Sequence, residues 1–232
     1  QFHQSGDFEK AQKGFEYLIS KYPESSDLCN SLGTLYLQIG NNKKGCALLE
    51  KSLRINPNQP MICFNLGNSY LNQKNLPKAL EFYKITITKA PDYLEAYIKK
   101  GELLTNLKIH NEAIDCLKSA LKIAPENLQI LNSIGVNLLE IGQAKVALEY
   151  FTQCIKIDKT NATLYNNAGL AAYKMNSFNE SIDYFNQCIK NAPATGYFYS
   201  NRGLSFQALK NLNLAMKDFN KCISLDPEYA ES

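Results

Sequence analysis

The chain has 232 residues, 25 basic against 22 acidic, a net charge of +3 and 45% hydrophobic content. That balance suits a folded protein and excludes the cationic excess of a nucleic-acid or membrane-surface binder. No apolar run approaches the roughly 20 residues that span a bilayer, and no basic start followed by an apolar stretch marks a signal peptide.

Residues 6–23 read as an amphipathic helix, with Ala11 and Phe15 on one face and Pro23 closing it. From there the sequence repeats. Pro23, Pro57, Pro91, Pro125, Pro193 and Pro227 lie on one 34-residue grid that only Lys159 breaks, and Gly33, Gly67, Gly101, Gly135, Gly169 and Gly203 lie on a second. A fixed period of this size signals a repeat array. A third grid carries Ala79, Ala113, Ala147 and Ala215, with Gly45 and Ser181 as small substitutes. Bulky residues follow four positions later (Leu49, Tyr83, Leu117, Phe151, Phe185, Phe219), and aliphatics four beyond those (Leu53, Ile87, Leu121, Ile155, Ile189, Ile223). Offsets of four and eight lie on one face of a helix.

An earlier helix in each unit is marked by Cys63, Leu66, Gly67 and Tyr70 and their equivalents. The turns between helices, such as "QIGNN" (38–42) and "EIGQA" (140–144), contain a glycine suited to a left-handed helix end. The prolines end each second helix, because proline has no amide hydrogen and turns the preceding residue away from helix. Each unit is therefore a pair of antiparallel helices. The glycine of the first and the alanine of the second are expected to let two backbones approach. One such pair cannot bury its own apolar face and needs neighbours to stack on.

Six complete units are expected, at 26–59, 60–93, 94–127, 128–161, 162–195 and 196–229. Residues 1–25 carry the second helix of a preceding partial unit, and 230–232 start a following first helix. The chain opens without methionine, so it is expected to be a fragment of a longer protein.

"CFNLGNSY" (63–70) with Ala79, Tyr83 and Pro91, and "YNNAGLAAY" (165–173) with Ser181, Phe185 and Pro193, follow the pattern W-x2-L-G-x2-Y…A-x3-F…P. Over essentially its whole length the chain resembles the tetratricopeptide repeat family. The resemblance implies an all-α, right-handed superhelical solenoid of antiparallel helix pairs. It also implies a non-enzymatic scaffold that binds a peptide or helix of a partner protein in a concave groove lined by the first helices. The departures are Lys159 in place of proline, and Lys100 and Arg202 just before a grid glycine. Those two cations are expected to reach a partner or to lay their stems along the surface with the charge in water.

No reaction chemistry is visible. The histidines are His3 and His110, far apart, and no GxxxxGK[ST], GxGxxG or GxSxG occurs. No catalytic, cofactor-binding or metal-binding residue is expected, and no cofactor. Seven cysteines without a close pair read as reduced thiols. That points to an intracellular, cytoplasmic protein, with the cilium or basal body as the second compartment. Cys154, Cys188 and Cys222 fill a small position held elsewhere by Ala120 and Ser52, and Cys29 and Cys63 a bulky first-helix position. All five read as packing.

In the family, the second, fifth, sixth, ninth, twelfth and thirteenth residues of a unit face the groove. The candidate partner-binding residues are then Asn30, Asn65, Asn68, Asn72, Lys99, Glu102, Asn132, Asn166, Asn167, Lys174, Tyr197 and Asn201. An asparagine amide both donates and accepts, so amides at one-repeat spacing can bond the backbone of an extended peptide. The run resembles the asparagine-lined groove of O-GlcNAc transferase, although Ser31, Lys99 and Ser133 break it. Asparagine at the sixth and ninth positions also belongs to the general repeat consensus. Phe64, Ile98 and Tyr197 are the expected apolar anchors.

A chaperone-type carboxylate clamp fails, because Glu95 and Glu102 flank Lys99 and Lys100. Nucleic acid is disfavoured by the mixed signs of Asp27, Glu95, Glu102 and Glu140 against Lys99 and Lys174. Tyr165, Tyr199 and Phe206 are expected in the core, and Tyr197 in the groove near Arg202. Membrane insertion is not expected, and self-association would run through the open ends of the array. Two alternatives stand beside the scaffold. One is a substrate-recruiting arm of a larger enzyme. The other is a subunit of a large assembly, such as a ciliary transport or cell-cycle complex.

Overall fold

A computed structural model describes residues 8–227. Among them are thirteen α-helices and no strand. They are α1 (Phe8–Lys21), α2 (Ser26–Gln38), α3 (Asn42–Ile55), α4 (Pro60–Asn72), α5 (Leu76–Lys89), α6 (Leu94–Asn106), α7 (His110–Ile123), α8 (Leu128–Glu140), α9 (Ala144–Ile157), α10 (Ala162–Lys174), α11 (Phe178–Asn191), α12 (Gly196–Ala208) and α13 (Leu212–Leu225). Packing divides the chain into an N-terminal unit ending at Leu103 and a C-terminal unit starting at Leu104. In the N-terminal unit α2 pairs with α3 and α4 with α5. In the C-terminal unit α8 pairs with α9, α10 with α11 and α12 with α13. The expected helix start at 230–232 lies outside the described residues, as does His3.

The helices begin and end for local reasons. Ser25, Asn41, Asn75, Asn127 and Asn161 each accept a backbone N–H of the first helical turn through a side-chain oxygen. Such a cap satisfies one of the donors that a helix start leaves over. The turns inside the hairpins are also periodic. Gly40 and Gly142 have φ of +80° and +79°, and Lys74, Lys108, Asn176 and Lys210 sit at 59–61° in the equivalent places. Around them the chain closes as Schellman motifs: Asn75 N–H bonds Tyr70 O at 2.9 Å and Lys74 N–H bonds Leu71 O at 2.9 Å. Four of the six left-handed residues thus carry side chains, a conformation that glycine adopts at less cost.

The second helices stop in register whether or not proline follows. α9 ends at Ile157, in line with the others, although its grid residue is Lys159. There Asp158 Oδ1 accepts from Thr160 N–H at 2.9 Å and from Thr160 Oγ1 at 2.8 Å. That side-chain turn takes the place of proline.

The small residues make room, but for side chains more than for backbones. A Cβ on Gly67 would lie 2.7 Å from the Tyr83 ring. On Gly135 it would lie 2.5 Å from the Phe151 ring, and on Gly169 2.7 Å from the Phe185 ring. Gly67, Gly135, Gly169 and Gly203 thus each seat the aromatic ring of their own hairpin, and Gly33 seats Leu49. Only Gly33 and Gly45 face each other through backbone, each Cβ position lying close to the other's carbonyl oxygen. Tyr83, Phe151 and Phe185 are fully buried, and burying an aromatic side chain of this size contributes about 2–3 kcal/mol.

The second-helix small position forms a column of its own. Ser52, Thr86, Ala120, Cys154, Cys188 and Cys222 are all buried. Ser52 Oγ donates to Ser26 O at 3.1 Å and Cys188 Sγ to Ala162 O at 3.4 Å, so each ties the end of a second helix to the start of its first helix. Burial raises the Cys154 thiol to about 11 and Cys188 to about 12. Neither is a nucleophile at neutral pH. Cys29 and Cys63 are fully buried, and all seven cysteines are free thiols.

Candidate partner-binding face

The candidate residues lie on the first helices, and the two units treat them differently. In the C-terminal unit the asparagines bond each other. Asn167 Nδ2 on α10 donates to Asn132 Oδ1 on α8 at 2.9 Å, and Asn201 Nδ2 on α12 donates to Asn166 Oδ1 on α10 at 2.8 Å. Each pair joins residues 35 apart, one helix of a unit to the same helix of the next. Asn166 is buried. Lys174 reaches back to Leu139 O at 3.5 Å, and this too is a link between first helices.

A second amide in this unit is wholly internal. Asn137 on α8 is 0% exposed. Its Nδ2 donates to Ser133 O and to Thr105 Oγ1, both at 2.8 Å. A carbonyl can only accept, so the amide orientation is fixed and Oδ1 must accept from His110 Nδ1, 2.9 Å away. His110 thus carries its proton on Nδ1, and it closes a buried network where the sequence suggests only a turn residue.

Arg202 corrects another expectation. Its guanidinium is held by side chains of the chain itself. Its Nε and Nη2 donate to the two carboxylate oxygens of Asp218 at 2.8 and 2.7 Å, and Nη1 donates to Asn186 Oδ1 at 2.7 Å. The Asp218 side chain is only 6% exposed. The guanidinium lies over the rings of Tyr199 and Phe206, with centroids at 5.6 and 5.8 Å. The Tyr197 ring is half-buried, tilted against Phe198 at 4.4 Å and packed against the cluster of Phe185, Cys188 and Phe198. Tyr165, Tyr199 and Phe206 are half-buried, while the deep aromatic of α12 is Phe198.

In the N-terminal unit the amides are less committed. Asn68 Oδ1 accepts from Tyr83 OH at 2.8 Å. Burial, with a smaller contribution from the charge of Glu102, pushes that phenol up to about 12. Lys99 and Glu102 pair with each other at 2.9 Å. Phe64 packs on Tyr83 and Tyr93, with ring centroids at 5.9 and 5.1 Å, and is half-buried. Among the described residues the Asn65 and Asn72 side chains have no hydrogen-bond partner. They line an open groove between α2 and α4 with Thr34, Leu37, Gln38, Asn42, Asn68 and Ser69. Asn42 escapes the sequence reading because it falls near the hairpin turn, whereas Gln38 holds the same thirteenth position as Asn72 and is legible there.

Asn30 stands apart. Its Nδ2 donates to Gln59 Oε1 at 2.6 Å. Gln59 Nε2 is held by the carbonyls of Ser52 and Asn56, which fixes both amide orientations. Asn30 Oδ1 is left buried with no partner, alone in this among the side-chain polar atoms of the described residues.

Family models described as tetratricopeptide repeat match residues 26–59, 94–127, 128–161 and 162–195, residues 196–229, and residues 1–25 and 64–93. Comparison with curated proteins returns no match. Among solved structures, MamA 41-end from Desulfovibrio magneticus RS-1 aligns with a TM-score of 0.69 at 20% identity, covering 72% of this chain and 95% of that one. YrrB, described as a TPR protein with an unusual peptide-binding site, aligns at 0.67 and 20% identity, covering 78% and 93%. The APC/C hetero-tetramer Cut9–Hcn1 aligns at 0.59 and 18% identity, covering 98% of this chain and 45% of that one. At these identities the likeness is one of fold.

Proposed function

Because the chain belongs to the tetratricopeptide repeat family, we propose that it is a non-enzymatic scaffold binding a peptide or helix of a partner protein on the face of its first helices. The observation that carries this reading is the groove between α2 and α4, where four of the eight lining side chains, Gln38, Asn42, Asn65 and Asn72, are amides without a hydrogen-bond partner among the described residues. A recess of unbonded amides has no packing purpose, and hydrogen-bond capacity left open towards solvent is what a polypeptide ligand can use. The buried, free thiols suit a reducing compartment such as the cytoplasm. No helix among the described residues is long and apolar enough to cross a membrane.

The substrate-recruiting arm loses the feature that suggested it. Asn132, Asn166, Asn167 and Asn201 hold each other, where such an arm would keep its amides for a substrate backbone. The test is capture from a cell extract on the immobilised 232-residue chain, beside a repeat array of equal length and charge. Specific recovery of a protein that an Asn72→Lys variant recovers less well is expected. Recovery of nothing beyond the control array would sink the scaffold reading.

A further inference from the structure

Three second helices of the C-terminal unit carry charges that neither the fold nor the scaffold reading uses. The sixth residue of α7, α9 and α11 is Asp115, Glu149 and Asp183, and the penultimate residue is Lys122, Lys156 and Lys190. All six are exposed, and none has an ion-pair partner among the described residues. Seven residues make two helical turns, so the acid and the base share the outward face of each helix about 10 Å apart, too far to pair. The three are successive second helices and run in one direction. Together they present an acidic row beside a parallel basic row.

Helix stability accounts for only one of the two rows. A lysine in the last turn complements the carbonyl end of its helix, but the acids stand beyond the first turn, where the helix dipole has faded. The repeat does not demand them either. The same two positions hold Ala47 and Arg54 in α3, Glu81 and Thr88 in α5, and Lys217 and Ser224 in α13. The double row is therefore confined to three neighbouring second helices.

We propose that this face docks a second copy of the same chain. Charge complementarity selects both the occupant and its orientation. A two-fold axis running along the rows, midway between them, sets the helices of the two copies antiparallel and lays each basic row on an acidic one. Asp115 then faces Lys122, Glu149 faces Lys156 and Asp183 faces Lys190 of the opposite copy, and each contact occurs twice. An axis along the helices would set acid on acid and base on base, which is repelled. Ser119, Gln153 and Gln187 stand between the rows and bring no charge to the axis. Lys118 does bring one and meets its own counterpart, so the contact centres on α9 and α11. The exposed Ile123 and Ile157 beside the basic row add apolar area. A contact made of exposed pairs over three helices is weak and sensitive to salt. The groove between α2 and α4 takes no part in it.

Sedimentation equilibrium of the whole chain, at about 20 mM and about 500 mM salt and at concentrations up to on the order of 0.5 mM, tests the proposal. A dimer at low salt that dissociates at high salt is expected. Two charge-reversed chains sharpen the result. One carries Lys122→Glu, Lys156→Glu and Lys190→Glu; the other carries Asp115→Lys, Glu149→Lys and Asp183→Lys. Every changed position is exposed, and circular dichroism checks that parental helicity is kept. Each reversed chain alone should self-associate at least about tenfold more weakly than the parent. Mixed one to one at low salt, the two should form a heterodimer within about threefold of the parent affinity, because every contact returns with its signs exchanged. Lys118→Ser should tighten the parent dimer about two- to fivefold by removing the like-charge contact at the axis.

A parent chain that stays monomeric at low salt overturns the proposal, as does a dimer that both reversed chains keep, or a mixture that fails to pair. A Lys118→Ser chain that dimerises less well overturns the assigned axis. Loss of the dimer on Leu212→Lys with Met216→Lys, but not on charge reversal, would move the contact to the exposed apolar side of α13. None of these outcomes bears on the scaffold reading, which the capture experiment tests separately.

Discussion

Asn132 and Asn167 hold each other across two helices at 2.9 Å, while Asn30 and Asn65, in the same register of the same repeat, do not. The residue type and spacing are shared, and the difference lies in the neighbours. Gln59 at the start of α4 takes the Asn30 amide N–H, and no such competitor is bonded to Asn132. The comparison shows that an asparagine on a first helix is bonded within the stack or left open according to where its amide is already held. In the C-terminal unit polar side chains brace the fold; in the N-terminal unit part of that capacity stays open.

Substitutions rank the two roles. Arg202→Ala should have the largest effect, about 3–5 kcal/mol lost from the C-terminal unit in urea denaturation, because the carboxylate of Asp218 would stay buried without its partner. A loss below 1 kcal/mol would mean that water reaches Asp218 and that the pair is a surface feature. Asn137→Ala comes next, at about 1–3 kcal/mol, since it unpairs His110 and Thr105 from one buried amide. Asn167→Ala should cost about 0.5–1.5 kcal/mol, one exchanged hydrogen bond between α8 and α10. Asn65→Ala and Asn72→Ala should stay within about 0.5 kcal/mol of the parent. If Asn65→Ala proved as costly as Asn167→Ala, the contrast between the units would be broken and the N-terminal amides would be structural as well.

The repeat was legible because its signals are steric and periodic. A glycine sixteen residues before a ring, an alanine four before it and a proline after it recur wherever two helices close on an aromatic side chain. What the spacing could not say is what fills the room, and a ring rather than a second backbone does so at Gly67, Gly135 and Gly169. The left-handed turns at Lys74, Lys108 and Lys210 were hidden because lysine carries no turn preference; their position in the repeat sets them.

The site was less legible than the fold. Six asparagines at the fifth and sixth positions of their units look alike in sequence, yet four are bonded in pairs and two are not bonded to each other. Nothing in a residue's identity reports whether its partner stands 35 positions away or arrives from solution. Asp218 escaped notice for the same reason: a lone acidic residue on a second helix reads as solvated surface until the helix carrying Arg202 is laid against it.

One junction of the array depends on charge where its counterparts depend on a ring closure. After α9 the chain is turned by the Asp158 carboxylate, not by proline. The backbone N–H of Thr160, followed by its hydroxyl, lowers the pKa of Asp158 below its ordinary 3.8. A lowered value means that the ionised form is favoured in the folded state, so the contribution holds above that ordinary value and fades as pH falls through the folded one. The proline stops have no such dependence. Acidification should therefore weaken the stop between α9 and α10, and amide exchange at Thr160 and Asn161 should accelerate there relative to the proline-stopped junction at Ala192. The one irregularity in the proline grid thus doubles as the repeat's acid-labile seam.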